Sequence, residues 1–192
     1  MIQQVSVFCA SSQKVDQVYL KAAYNLGKIL AHNHIATLYG GGAAGLMGKL
    51  ADAILEEKGI IHGVIPAFMV NAGWAHPAVH QVVVKDLHQR KKKLLEKTDA
   101  IITLPGGVGT LEELLEMITL KQLGQITIPI IIVNINNFYD HLLSLLEQMI
   151  HEKFMRDIHR RLWSVTDNPE NVLEAISTAP GWDGSAIKYA PA

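Results

Sequence analysis

Short apolar runs alternate with longer segments of helical period along most of the chain. The runs "QVSVFCA" (4–10), "IATLYGGG" (35–42), "IIHGVIP" (60–66), "HQVVVK" (80–85), "AIITLP" (100–105), "IPIIIVNI" (128–135) and "LWSVT" (162–166) read as strands, short and rich in β-branched residues. Between them, segments 15–33, 45–59, 86–98, a stretch ending near Gly124, 138–154 and 168–177 carry apolar residues at helical spacing. Gly59 closes the second helix as the residue just past its end, and Asn168 followed by Pro169 opens the last. The run "IPIIIVNI" is apolar on both faces, which suits a central parallel strand covered on both sides. The alternation predicts an α/β fold: a Rossmann-like, doubly wound parallel sheet of about seven strands with helices on both faces. Residues 1–178 read as a single nucleotide-binding domain, and 179–192, which show no period, as an irregular C-terminal tail.

Two segments depart from this rhythm. From Gly59 to Val84 there is no Asp, Glu, Lys or Arg. Within it, "PAFMVNAGWAHPAVH" is too rich in Pro, Gly and Ala for a helix or strand, and is expected as a loop that is buried, covers a ligand or packs on another subunit. The helix after Thr110 is apolar nearly all round. Leu111, Leu114, Leu115 and Ile118 make one face, while Met117, Leu120 and Leu123 fall on the others. Such a helix is buried from both sides. The sheet covers one side, and a second copy of the chain is the natural cover for the other.

Composition narrows the partners. With 17 Lys+Arg against 18 Asp+Glu the net charge is -1, so no overall basic field draws the protein to nucleic acid or an anionic membrane. The single cysteine, Cys9, excludes an internal disulfide and a thiolate metal cluster, and reads as a packed small residue. No basic leader and no 18-residue apolar run is present, so a reduced cytoplasm is the expected compartment. The nine histidines contain no H-E-x-x-H, His32 and His34 read as cap or surface residues, and no G-x-S-x-G occurs. No metal and no cofactor is expected.

Open parallel sheets bind ligands at the carboxyl ends of their strands. Three loops fall there: "CASS" (9–12), which offers Ser12; "GGGAAGLMG" (40–48), which offers Gly41 and Gly42; and "PGGVGT" (105–110). Gly40, Gly42 and Gly45 spell G-x-G-x-x-G, but the next strand ends in "GVIPAF" without the acid that holds a dinucleotide's ribose. These glycines either serve a ligand or simply allow a tight turn and close helix packing. In "PGGVGT", Gly106, Gly107 and Gly109 let backbone amides converge on an anion beside the positive end of a helix, and a phosphate is the expected guest. No Lys-Ser/Thr follows, so this is not a Walker loop.

Acids follow that loop at once. Thr110 and Glu113 fit a capping box, and Glu112 reads as an ordinary first-turn acid. Glu113 and Glu116 adjoin on a face shared with Leu120 and need another reason, because an anion site repels a carboxylate. Chemistry on a sugar attached to the phosphate supplies one: a carboxylate stabilises positive charge at the anomeric carbon or activates water. In "HQRKKK" (88–93), Lys92 and Lys93 read as solvated, whereas Arg90 and Lys91 lie near enough to the helix start to reach a ligand.

Together these loops resemble the LONELY GUY (LOG) family of cytokinin riboside 5′-monophosphate phosphoribohydrolases. The family's P-G-G-x-G-T-x-x-E stands complete from Pro105 to Glu113, its M-H-x-R-K is similar to "LHQRK" with Leu87 in place of Met, and "VFCASS" and "YGGGAAGLMG" resemble its first two loops. The likeness covers about residues 5–155. It implies hydrolysis of the N-glycosidic bond of AMP or an N6-modified AMP to free base and ribose 5-phosphate. It assigns Arg90 and Glu113 as the catalytic pair, and it implies that Ser12, Gly41, Gly42, Lys91, Gly106, Gly107, Gly109, Thr110, Glu116 and Thr119 bind the nucleotide. It also implies a homodimer. One departure stands out: members commonly carry a glutamate in the loop before "AH", where this chain reads "VNAGWAH", leaving Trp74 either to stack on a base or to serve in packing. The alternative reading is a non-catalytic carrier of a nucleotide or of molybdenum cofactor. An NAD-dependent oxidoreductase is disfavoured by the missing ribose acid, and no Schiff-base lysine can be placed for a decarboxylase.

Overall fold

The computed structural model describes residues 2–189. Seven strands form one sheet: β1 (Gln4–Phe8), β2 (Ala36–Tyr39), β3 (Ile61–Pro66), β4 (His80–Val84), β5 (Ala100–Thr103), β6 (Ile130–Val133) and β7 (Ser164–Thr166). Their order is β4-β3-β2-β1-β5-β6-β7, and every pairing is parallel. Seven helices connect or flank them: α1 (Gln17–His32), α2 (Gly45–Glu56), α3 (Ala67–Asn71), α4 (Leu87–Leu95), α5 (Val108–Gln122), α6 (Asp140–His151) and α7 (Val172–Thr178). This is the doubly wound α/β arrangement, with a core on each face of the sheet.

The period-two alternation of the strands divides the core in two. Val5, Val7, Ala100, Ile102, Ile131 and Val133 pack with α1, α2 and α7. Phe8, Ile101, Ile130 and Ile132 point the other way, against Leu94 of α4, Leu114 and Met117 of α5, and Leu146 and Ile150 of α6. The central strands β5 and β6 are buried along their whole length, as a strand covered on both faces must be. Among the described residues no helix is long and apolar enough to cross a membrane.

Three local expectations change. The charge-free crossover contains a helical turn, α3, where Pro and Gly density argued for loop. "AFMVN" itself holds neither residue; Pro66 precedes it in an extended conformation, and Gly73 at φ +77 turns the chain away after it. The helix at 168–177 opens as a 3-10 turn (Pro169–Asn171), with the Asn168 side chain accepting from the Asn171 amide, before α7 proper. Beyond α7 the chain packs back on the body. Ala186 is fully buried, Trp182 joins the second core cluster, and a 3-10 turn spans Ala186–Tyr189. The last three residues of the expected tail, 190–192, lie outside those described.

Candidate active site

The connections leave β1 toward β2 on one side and reach β5 on the other, so the strand order reverses at β1. A crevice at such a reversal is where doubly wound sheets bind ligands. A cavity of about 800 Å³ lies there. Its walls are the segment after β1 (Cys9 to Gln13), the loop after β2 (Gly40, Gly42, Ala43, Ala44), the start of α5 (Gly107, Gly109, Thr110), the inner face of α4 (Leu87, Arg90, Lys91) and the third crossover (Met69, Gly73, Trp74).

Close backbone approach explains the glycines at two positions. A Cβ on Gly40 would overlap the Arg90 guanidinium, so glycine there lets that group lie against the backbone. Gly45 has φ +61, and a Cβ on it would overlap the Ser12 carbonyl. The first two loops are interlocked at that point, and the Met47 amide donates to the Ala10 carbonyl (3.1 Å). The third crossover is tied to the same loop: the Ala43 amide donates to the Trp74 carbonyl (3.0 Å) and the His76 amide to the Gly41 carbonyl (2.9 Å).

Helix α5 starts earlier than a capping box at Thr110 requires. Gly107 is its N-cap with no side-chain cap, and the first intrahelical bond runs from the Leu111 amide to the Gly107 carbonyl (3.0 Å). Thr110 lies inside the first turn, its side chain folded over Gly106 where only a glycine leaves room. The capping-box expectation is therefore corrected. The early start has a consequence: the amides of Val108, Gly109 and Thr110 have no intrahelical acceptor. No heavy atom crowds Gly107 or Gly109 on the side where a Cβ would stand. The result is an open anion cradle at the positive end of a 15-residue helix.

Two buried charges sit beside it. Arg90 is 8% exposed and Glu113 6%. Arg90 Nη2 lies 3.4 Å from Glu113 Oε1, and Arg90 Nε donates to the Val64 carbonyl (3.1 Å), which fixes the guanidinium plane. Burial pushes the Glu113 pKa up to about 6; Arg90 and Lys91 pull it down, while Glu112 and Glu116 add to the rise. Lys91 forms ion pairs with both Glu112 and Glu116, linking α4 to α5 at the cavity wall. Cys9, at the cavity floor, is held far above its ordinary thiol range, first by burial and then by Glu113, so it stays a protonated thiol.

The structure brings Ser12, Gly42, Arg90, Lys91, Gly107, Gly109, Thr110 and Glu113 to the cavity. Four other expected residues do not line it. Gly41 turns away at φ +79, its carbonyl bonded to the Gln81 side chain and the His76 amide. Gly106 lies beneath Thr110. Glu116 is engaged by Lys91. Thr119 is exposed, its hydroxyl donating to the Leu115 carbonyl (2.8 Å). Sequence reasoning missed Met47, Ile65 and Met69, whose only signal is that they follow or end the right strands. The spacing His76-x-x-x-His80 is not a metal pair: His76 bonds Asp52 (3.2 Å) and His80 stacks edge-on with His62 (5.5 Å between ring centres). Among the described residues no group of three or more His, Cys, Asp or Glu is placed to hold a metal ion.

The chain is similar to several known proteins. A family model described as "Possible lysine decarboxylase" matches residues 47–176. Cytokinin riboside 5′-monophosphate phosphoribohydrolase LOG3 of Arabidopsis thaliana is 38% identical, over 97% of this chain and 92% of its own. "Probable cytokinin riboside 5′-monophosphate phosphoribohydrolase LOGL2" of Oryza sativa subsp. japonica is also 38% identical, over 91% of this chain and 72% of its own. Among solved structures, the molybdenum cofactor binding protein of Rippkaea orientalis superposes with a TM-score of 0.70 at 21% identity, covering 93% of this chain and 97% of that one, a likeness of fold.

Proposed function

This chain belongs to the LOG family of cytokinin riboside 5′-monophosphate phosphoribohydrolases, and from that premise we propose that it hydrolyses the N-glycosidic bond of AMP or an N6-modified AMP. The products are the free base and ribose 5-phosphate. One observation carries the assignment of roles: a buried carboxylate, Glu113, lines the same cavity as the open start of α5, where the amides of Val108, Gly109 and Thr110 lack an intrahelical acceptor, one helical turn away. The amides and the helix dipole hold the 5′-phosphate. That places the ribose toward Glu113. As the bond from C1′ to the base nitrogen lengthens, positive charge builds on C1′, and the carboxylate stabilises it. Glu113 then takes a proton from the water that attacks C1′. The bonding pair leaves with the base nitrogen, and the proton taken by Glu113 returns through solvent to that nitrogen, so one water is consumed.

Arg90 brings a guanidinium, with N–H donors and no acceptor. Its role is electrostatic. It opposes the burial that would protonate Glu113, and its fixed guanidinium holds the carboxylate in place. Trp74 and Met69 line the same cavity as the phosphate loop and supply apolar surface for the base. A carrier role finds support in the fold alone and has no separate observation in its favour. The chain is read as a cytoplasmic homodimer.

The test is product analysis with AMP, GMP, CMP and N6-isopentenyl AMP, following free base and ribose 5-phosphate. Glu113→Gln is expected to lower kcat/KM at least about a hundredfold. Base release by that variant at the wild-type rate would overturn the mechanism. Tight nucleotide binding by the wild type with no turnover on any of the four would favour the carrier.

A further inference from the structure

Tyr139 precedes α6 at the carboxyl end of β6, and its ring is 2% exposed. Its hydroxyl donates to the Leu104 carbonyl at 2.8 Å. Burial raises its pKa above the ordinary phenol range, and a hydrogen bond from the Gly106 backbone amide toward the same oxygen opposes that rise. One hydroxyl therefore touches the backbone on both sides of Pro105. Pro105, with no N–H of its own, is held from the opposite direction, its carbonyl accepting from the Ala10 amide (3.2 Å). The segment that aims the first turn of α5 is thus clamped between β1 and Tyr139.

Tyr139 is itself held firmly. Its amide donates to Asn134 Oδ1 (2.6 Å), and Asn134 Nδ2 donates to Asp140 (2.8 Å). Between them Asn136 and Asn137 both take left-handed backbone angles, φ 51 and 58. Such angles cost energy outside glycine and persist where the surroundings determine them. Here the turn brings the phenol under the neighbouring loop.

We propose that Tyr139 is a positioning residue: its hydroxyl fixes Leu104–Gly106 so that the amides of Val108, Gly109 and Thr110 converge on the substrate's phosphate. It touches neither the sugar nor the base, so its contribution is to affinity for the phosphate monoester and not to bond cleavage. The inference rests on the reading of the α5 cradle as the phosphate site.

The experiment is Tyr139→Phe, assayed with AMP and, separately, by calorimetric titration of ribose 5-phosphate. Removing one positioned hydrogen bond is expected to raise KM for AMP and weaken ribose 5-phosphate binding together, about tenfold, with kcat within about twofold. A lowered melting temperature with KM and ribose 5-phosphate affinity unchanged would reduce Tyr139 to a packing residue and overturn the proposal. A fall in kcat with KM unchanged would overturn it too. If Tyr139→Phe does not fold, Asn134→Ala, which loosens the same clamp from behind, is expected to shift KM and ribose 5-phosphate affinity in the same direction, and unchanged values sink the idea. The titration separates this inference from the functional reading. Wild-type protein that binds ribose 5-phosphate but releases no base refutes the enzyme and leaves the Tyr139 comparison standing.

Discussion

Glu113 is asked to be ionised in a place that disfavours charge. Its pKa of about 6 sits between its ordinary value and neutrality, where a general base works well. The expected pH profile of kcat/KM rises through about pH 6 and levels above it, and the limb should vanish in Glu113→Gln. Stability runs the other way. The folded pKa lies above the unfolded one, so Glu113's contribution is fully present below about pH 4.5 and is lost as pH rises through about 6. A melting-temperature series across pH 4.5–7 checks the sign, with Glu113→Gln flat where the wild type declines. Lys121 shows a second penalty, one the sequence hid. It is 1% exposed at the far end of α5, and burial lowers its pKa to about 8. Lowering a cation's pKa means that stability rises with pH between about 8 and 10.5. Lys121→Met is therefore expected to stabilise the protein at pH 7, read as a higher melting temperature whose margin fades toward pH 10.5. A variant less stable than wild type at pH 7 would show that the ammonium has compensation elsewhere.

At the scale of elements, the strands and most helices were legible because their signals are local. Period-two runs, helical runs, and glycines just past strand ends each declare themselves within a dozen residues. The catalytic candidates were legible for the same reason: Arg90 and Glu113 each stand in the first two turns of the helix that follows a strand end, and a doubly wound sheet brings such ends together. What stayed hidden depends on strand order. Gln81 on β4 reaches across β3, over Gly63, to donate to the Gly41 carbonyl behind the second glycine loop (3.2 Å). Nothing in "HGV" announces that a side chain from the next strand passes over its glycine. A Cβ on Gly63 would overlap Gln81 Oε1 and meet the Gly41 Cα at 2.7 Å. Gly63→Ala is expected to cost about 1–3 kcal/mol in urea unfolding. Pairing it with Gln81→Ala should prove less than additive by at least about 0.5 kcal/mol, since both changes disturb one contact. Strict additivity would mean that the two residues act separately. Tyr139 escaped notice likewise: its partner Leu104 lies 35 positions away, just past the end of β5.

For the whole molecule the open question is what covers α5. The sheet side takes Leu114, Met117, Ile118 and Lys121. The sequence reading expected the helix after Thr110 to be buried from both sides, with a second copy covering one of them; the monomer leaves Leu115 41% exposed and Val108, ahead of that stretch, 84%. These two stand seven residues apart, nearly two full turns, and so lie on one stripe. Val108 adjoins the cavity lining, and Phe68, Trp74 and Leu87 are exposed near or at the same mouth. A second copy seated on this stripe would bury apolar side chains that a monomer leaves in water and would narrow the cavity entrance at the same time. An interface of standard size buries about 1,600 Å² in all, so one charged residue at its centre should break it. In sedimentation the wild type is expected at twice the 21.1 kDa chain mass and Leu115→Glu at the single mass. If a second copy narrows the mouth in this way, base release should fall with the dimer and recover as protein concentration drives association. A wild type that sediments as a monomer while fully active would remove the second copy from the site and leave the exposed stripe to another explanation.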